Sequence, residues 1–273
     1  MAGQGTARFD IDHTVSDLAP LFPITSQTSP EDKLCLLGAM RLVRRSGSYA
    51  YLEIGSFRGG SLTPCLMDDS CKTILSIDDR GRMQPDERGV NYDYTGITTQ
   101  TMLDELRGSG VSTDKLKTFD GSIPALERGY AGSFDLAFID GEHTDEACFR
   151  DFLWTRPLMK PDGIILFHDS TLVYKALKLI LLVLDQAAVP YAFFKRADSE
   201  MSGVLLGSYR DADRTRYVGA EEDHEAFFAR AEASRIKAQF KNRARFRFVP
   251  QRLLKGRMPI TVDIERPKNR RAF

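Results

Sequence analysis

The chain predicts an α/β fold built on a doubly wound, mostly parallel sheet. Two observations carry that prediction. Short apolar runs alternate with helical patterns along most of the chain, and the clearest runs end in an acid or a histidine beside glycine or serine. Strands alternating with helices of about 10 to 15 residues imply βαβ units, whose crossovers force neighbouring strands to run parallel.

Residues 1–27 carry no clear periodicity. Ser29-Pro30-Glu31-Asp32 is a helix start. Ser29 can cap, Pro30 sits where its missing N–H costs nothing, and the two acids meet the positive end of the helix dipole. This helix is expected to reach about Arg45 and to stop at Gly47. Strands are then expected over 49–54, 73–77, 115–119, 134–139 and 163–167, with helices over 61–67, 98–107, 123–128, 143–155 and 172–187. Residues 191–195 and 202–206 read as a terminal hairpin, giving a seven-stranded sheet. Residues 79–95 are charged, glycine-rich and aperiodic; so long a loop in a compact domain makes a candidate lid, with Tyr92 and Tyr94 as its contacts.

At 273 residues the chain can bury the core of one larger domain and still carry extensions. No run approaches the roughly 20 apolar residues that span a bilayer; the longest, Leu177 to Leu184, is broken at Lys178. The first twelve residues lack a basic region followed by an apolar one, so no secretory signal and a cytoplasmic location are expected. Cys35, Cys65, Cys71 and Cys148 form no Cys-x-x-Cys pair, which fits reduced thiols and argues against structural zinc. The formal net charge is zero, but residues 235–273 hold 13 Lys and Arg against 2 Asp and Glu, a net of +11. Such a tail suits an anionic partner, or packing against the acidic body or a second subunit. Arg alternating with Ala and Phe over 243–248 predicts a strand with one apolar face.

The chemistry-bearing residues cluster at strand ends. Leu52-Glu53-Ile54-Gly55 runs into Gly59-Gly60-Ser61. That spacing is not the Gly-x-Gly-x-x-Gly that brings backbone to a pyrophosphate. It suits a smaller ligand with an amino acid end, whose carboxylate meets backbone amides and whose cationic group meets Glu53. Ser76-Ile77-Asp78 ends a second strand in an acid, the position that takes ribose hydroxyls in nucleotide-binding α/β domains. Two of the four histidines then stand at successive strand mouths, in Asp140-Gly141-Glu142-His143 and Phe167-His168-Asp169-Ser170.

On these residues, with Asp120-Gly121-Ser122, Trp154, Pro157-Leu158 and Pro161-Asp162-Gly163, the chain resembles the class I S-adenosylmethionine (SAM) methyltransferases. More narrowly it resembles the family that includes macrolide-sugar and aminocoumarin-sugar O-methyltransferases and cephalosporin-hydroxylase-like proteins. The likeness covers roughly 48–206. It implies a Rossmann-like methyltransferase domain over 48–208, preceded by an N-terminal extension and helix (1–47) and followed by a helical, basic C-terminal extension (209–273). It implies that Asp78 holds the ribose, with Asp79 as the substitute, that Ser122 or Asp120 contacts adenine, and that Gly55, Ser61 and Glu53 surround the methionine moiety. Asp140 would border both the cofactor and the reacting oxygen.

Two devices can activate a hydroxyl acceptor. Asp140 and Asp169, with His168, can hold a divalent cation; Mg²⁺ is the expected ion for oxygen ligands, while the imidazole at 168, where sugar methyltransferases of the family often have a carboxylate, favours Mn²⁺. Alternatively His143, beside Asp140, takes the proton as a neutral imidazole. Structural readings stand beside these: His143 as a hydrogen-bonded helix N-terminal residue, His168 as a strand-end group orienting its neighbour. The expected reaction is SAM-dependent O-methylation of a hydroxylated small molecule, a sugar or secondary metabolite, by a homodimer or monomer. Competing readings are a SAM-binding protein or methyltransferase that engages nucleic acid through the basic tail, and an NAD-dependent oxidoreductase. The first lacks an Asn-Pro-Pro-Tyr type motif and the second lacks both the pyrophosphate loop and a Tyr-x-x-x-Lys pair.

Overall fold

The computed structural model describes residues 17–126, 129–242 and 270–271, the last pair and residues 241–242 by backbone alone. The strand expected at 243–248 lies outside the described residues.

The seven long strands form one sheet. In chain order they are β1 (Tyr49–Ile54), β2 (Cys71–Asp78), β5 (Leu116–Asp120), β6 (Phe134–Ile139), β7 (Met159–Phe167), β8 (Tyr191–Lys195) and β9 (Ser202–Leu206). Their spatial order is β5-β2-β1-β6-β7-β9-β8. The first five run parallel, and β9 pairs antiparallel with both β7 and β8. This is the Rossmann-like methyltransferase arrangement. The chain moves outward from β1 to β5 and then returns to place β6 on the other side of β1, so the crevice at the carboxyl ends of β1 and β6 is the switch point where such sheets bind ligands.

Strand alternation divides the apolar residues between two cores. Tyr51, Leu136, Phe138 and Leu166 face the helix α1 (Pro30–Arg44). Leu52, Ala137, Ile165 and Phe167 face the opposite layer, which holds α4 (Asp145–Thr155) and α5 (Tyr174–Gln186). A period of two on strands buried on both faces leaves no polar side except at their ends. The remaining helices are α2 (Thr63–Met67), α3 (Thr99–Gly108), α6 (Arg214–Val218) and α7 (His224–Asn242). The α1 start is a complete capping box: Ser29 Oγ accepts from Asp32 N, and Asp32 Oδ2 accepts from Ser29 N at 2.8 Å.

Three local readings are corrected. The expected loop at 79–95 contains an antiparallel hairpin, β3 (Met83–Pro85) with β4 (Asn91–Asp93), and β10 (Arg270–Arg271) pairs in parallel with β4. Strands of three residues are too short to show a period; the turn between them is held by Asp86, which accepts from Arg88 N and Val90 N. The helix expected at 61–67 begins only at Thr63, because the chain is still turning through Ser56–Leu62. The helix expected at 123–128 is a single 3-10 turn, Ile123–Ala125, with Pro124 within it and no side-chain cap. Among the described residues no helix is long and apolar enough to cross a membrane.

Candidate active site

Four backbone hydrogen bonds carry the sheet ladder past the strand ends and fix the crevice. Gly55 N donates to Ile77 O at 2.8 Å, Asp140 N to Ile54 O at 2.8 Å, His168 N to Ile139 O at 3.1 Å, and Gly121 N to Asp78 O at 3.0 Å. The residues after β1, β5, β6 and β7 are thereby held in register. Gly55 has φ +86°, and a Cβ there would lie 2.0 Å from Asp140 O. Backbone meets backbone at this point, so nothing flexible can move aside. Gly55→Ala is expected to destabilise the fold by about 2–5 kcal/mol through overpacking and left-handed strain. Urea denaturation checks this; a wild-type midpoint would mean the crevice is slack.

The crevice opens to solvent, spanning about 590 Å³ of space with the solvent at its mouth included, and its lining includes Gly55, Ser61, Asp78, Asp140, His143 and Tyr94. A second chamber of about 330 Å³, reaching Asp79, Gly121 and Ser122, shares Gly55, Asp78, Gln84 and Gly141 with the first. Five of the expected site residues thus line one cavity, and Ser122 lines its continuation. Asp78 is buried, with Oδ2 accepting from Phe57 N at 2.8 Å. Burial raises its pKa, and the nearby Arg80 and the Phe57 amide only partly offset that.

Glu53 does not reach the cavity wall. It is fully buried beneath Ser61, whose Oγ donates to Glu53 Oε1 at 2.8 Å, and it also accepts from Tyr51 OH. Burial pushes its carboxyl up to about 7 despite these donors. Asp120 is turned outward and is held by Arg80 at 3.1 Å and by Thr99. Arg80 was not legible as a site residue: it lies two positions after Asp78 in an aperiodic stretch, yet its side chain is 5% exposed and lines the cavity between the two acids.

The reactive end is a chain of carboxylates and imidazoles. His143 Nε2 lies 3.1 Å from Asp169 Oδ2 and 3.7 Å from Asp140 Oδ1. His168 Nδ1 lies 3.1 Å from Asp140 Oδ1 and 3.3 Å from Asp169 Oδ2, while its Nε2 lies 3.2 Å from Asp32 Oδ2 on α1. A carboxylate at each ring nitrogen favours the doubly protonated imidazolium of His168, which can donate to both. Burial opposes that charge, but Asp140 and Asp169 raise the His168 pKa well above its ordinary value. Burial likewise disfavours a charged His143, and the Asp169 and Asp140 carboxylates reverse the balance and raise it. Against the same burial, His143 and His168 hold Asp169 well below the usual carboxylate range. Asp169 takes a left-handed conformation, φ +48°, which turns its carboxylate back toward both rings; aspartate tolerates that region better than most residues.

Of the expected ligands Asp140, His168 and Asp169, His168 has a carboxylate at each ring nitrogen. Among the described residues, the donor atoms that lie within 4.8 Å of one another are those of Asp140, His143 and Asp169. Asp32, read from sequence only as a first-turn helix acid, proves to be a partner of His168 from 136 residues away.

Comparisons with known proteins find similarity over the sheet-forming part of the chain. Residues 52–170 match the family described as a methyltransferase domain. The uncharacterized protein R132 of Acanthamoeba polyphaga mimivirus is 27% identical over 119 residues, which is 44% of this chain and 50% of that protein, so the match spans about half the relative's length. The solved O-methyltransferase NovP superposes with a TM-score of 0.52 at 10% identity, over 65% of this chain and 80% of its own. TomG of Streptomyces achromogenes, an O-methyltransferase solved with SAM, gives 0.47 at 15% identity, over 71% and 88%. The segment from Leu52 to Ser170 thus matches a methyltransferase-domain family, and the strand order is that of the Rossmann-like methyltransferase fold.

Proposed function

We propose that the protein is a SAM-dependent O-methyltransferase acting on a hydroxyl of a small molecule, a sugar or a secondary metabolite. The observation that carries this reading is one crevice with Asp78 and the glycine turn on one side and His143, bonded to Asp169, on the other.

The residues fit SAM. Gly55 and Gly60 leave a cradle that a Cβ would fill: at Gly60 it would meet Ser26 Cβ at 2.7 Å. Asp78, held by the Phe57 amide at one oxygen, would offer the other to the ribose hydroxyls. Ser61 gives its hydrogen to Glu53, so its lone pairs are left for the methionine ammonium, and Glu53 acts through Ser61 from below. Ser122 borders the chamber suited to adenine. SAM supplies an electrophilic methyl on a sulfonium, which becomes neutral on transfer. Catalysis is then chiefly orientation of two bound reactants, completed by proton removal from the acceptor. In neutral His143 the Nε2–H donates to Asp169, which leaves Nδ1 to take the hydroxyl proton. This is the logic by which a carboxylate fixes a tautomer.

A second reading places a divalent cation on Asp140, His143 and Asp169, supported by the mutual closeness of their donor atoms. In that reading the ion lowers the hydroxyl pKa and His143 is a ligand, not a base. One experiment separates the two: mass spectrometry of products from a panel of hydroxylated metabolites with SAM, before and after EDTA. Methyl ethers formed equally in EDTA are expected. Loss of product that Mn²⁺ or Mg²⁺ restores would favour the ion, and no methylated product from any alcohol would remove the O-methyltransferase reading.

A further inference from the structure

Three segments meet at the acceptor side of the crevice, and one arginine from outside the methyltransferase segment ties them together. The segments are the β3–β4 hairpin, the loop from Asp140 to Thr144 that bears His143, and the loop after Asp169. The arginine is Arg235, on α7, 65 positions beyond Ser170.

Arg235 is 8% exposed. Its Nη2 lies 2.7 Å from Glu87 Oε2 in the hairpin turn. Its Nη1 donates to the Asp145 carboxylate, in the first turn of α4, and to Leu172 O at 3.1 Å. Its guanidinium also covers the Tyr174 ring at 5.3 Å. Glu87 completes the link: its N donates to His143 O at 3.1 Å, and its Oε1 accepts from Asp145 N at 2.9 Å. Gln239, one turn further along α7, donates from Nε2 to Glu87 O at 3.2 Å. The hairpin so held carries Tyr92, whose ring meets the His143 ring edge-on at 6.0 Å, and leads to Tyr94 in the cavity wall.

A planar fork with five donors can bridge two carboxylates and a carbonyl at once in a fixed geometry. Buried and paired, it makes each of the three segments expensive to move separately. None of its partners is Asp78, Ser61 or Gly55. The link therefore acts directly on the half of the crevice that would position the acceptor, and bears on the half that would hold SAM only through Gln84 and Gly141, which the two chambers share.

We infer that Arg235 is a positioning residue: through Glu87 and Asp145 it holds His143 and the Tyr92–Tyr94 hairpin over the acceptor, making the C-terminal helix necessary for methyl transfer but not for SAM binding. This rests on the function proposed above. The test is built to read the link without relying on turnover. In Arg235→Gln of the full chain, amide hydrogen exchange across 83–93 and 141–147 is expected to quicken about tenfold or more, because those amides are freed to open locally. S-adenosylhomocysteine affinity by calorimetry should stay within about twofold. With an acceptor in hand, kcat should fall about 10- to 100-fold, as for a reacting group displaced by a fraction of an ångström to an ångström. Glu87→Gln breaks the same ion pair from the hairpin without touching α7. It should reproduce the pattern, and the double variant should lose no more than either single one. Unchanged exchange in 83–93 and 141–147 in both variants would overturn the proposal, as would an equal loss of S-adenosylhomocysteine affinity. Normal exchange effects without methyl transfer to any acceptor would uphold the link while removing the function it rests on.

Discussion

Asp78→Ala is expected to weaken SAM binding by about 10²- to 10⁴-fold, the worth of two charge-assisted hydrogen bonds of about 1.5–3 kcal/mol each. The size follows from where the acid stands. It ends β2, is buried against the crevice wall, and is kept in place by the Phe57 amide at 2.8 Å. A ribose diol would replace the water it loses. Burial already raises its pKa, so the site pays for the charge before any ligand arrives. Alanine also strands the Phe57 amide, so part of any loss could come from the loop. Asp78→Asn separates the contributions, since the amide oxygen can still accept from Phe57 while the charge is gone. A loss about tenfold smaller than for alanine is expected there. Calorimetry with SAM and with S-adenosylhomocysteine measures both, with a thermal melt to show that each variant is folded. Unchanged affinity in Asp78→Ala would defeat the ribose assignment and with it the orientation of the whole crevice.

What the sequence made legible was whatever depends on neighbours along the chain. The strands 49–54, 191–195 and 202–206 were expected at the bounds they have, because apolar runs closed by glycine, proline or acids mark both ends. The strand-end positions of Asp78, Asp140, His143, His168 and Asp169 followed from the same runs. Their mutual bonding did not. Whether His168 or His143 joins Asp140 and Asp169 depends on Asp32, which arrives from the far side of the sheet and occupies the second nitrogen of His168. Its sequence signal was complete as a capping residue: Oδ2 does accept from Ser29 N, but the same oxygen also faces His168. The depth of Glu53 was hidden for a similar reason: only the packing of Tyr51 and Ser61 shows that it lies one layer below the cavity. Arg235 had no local signal at all, being one of 13 basic residues in its stretch.

His143→Ala is expected to lower kcat by about 10²- to 10⁴-fold, the usual worth of a positioned general base, with S-adenosylhomocysteine affinity within about twofold of wild type. Its pH profile gives the sharper check. His143 is buried, which by itself would favour the neutral ring, but the Asp169 carboxylate at 3.1 Å and Asp140 beyond it raise its pKa above the ordinary 6.5. The working form of a base is the neutral one, so activity is held at high pH and lost as pH falls through that raised value. The acid limb of the wild-type profile is therefore expected above pH 6.5, and the residual activity of His143→Ala should lack it. If His143 were instead a cation ligand, alanine would weaken ion binding, and excess Mn²⁺ would restore kcat toward wild type. No ion can restore a missing base. Turnover in His143→Ala that stays near wild type in EDTA would remove both roles and leave orientation of the acceptor, through Tyr92, Tyr94 and Asp140, as the sole source of rate.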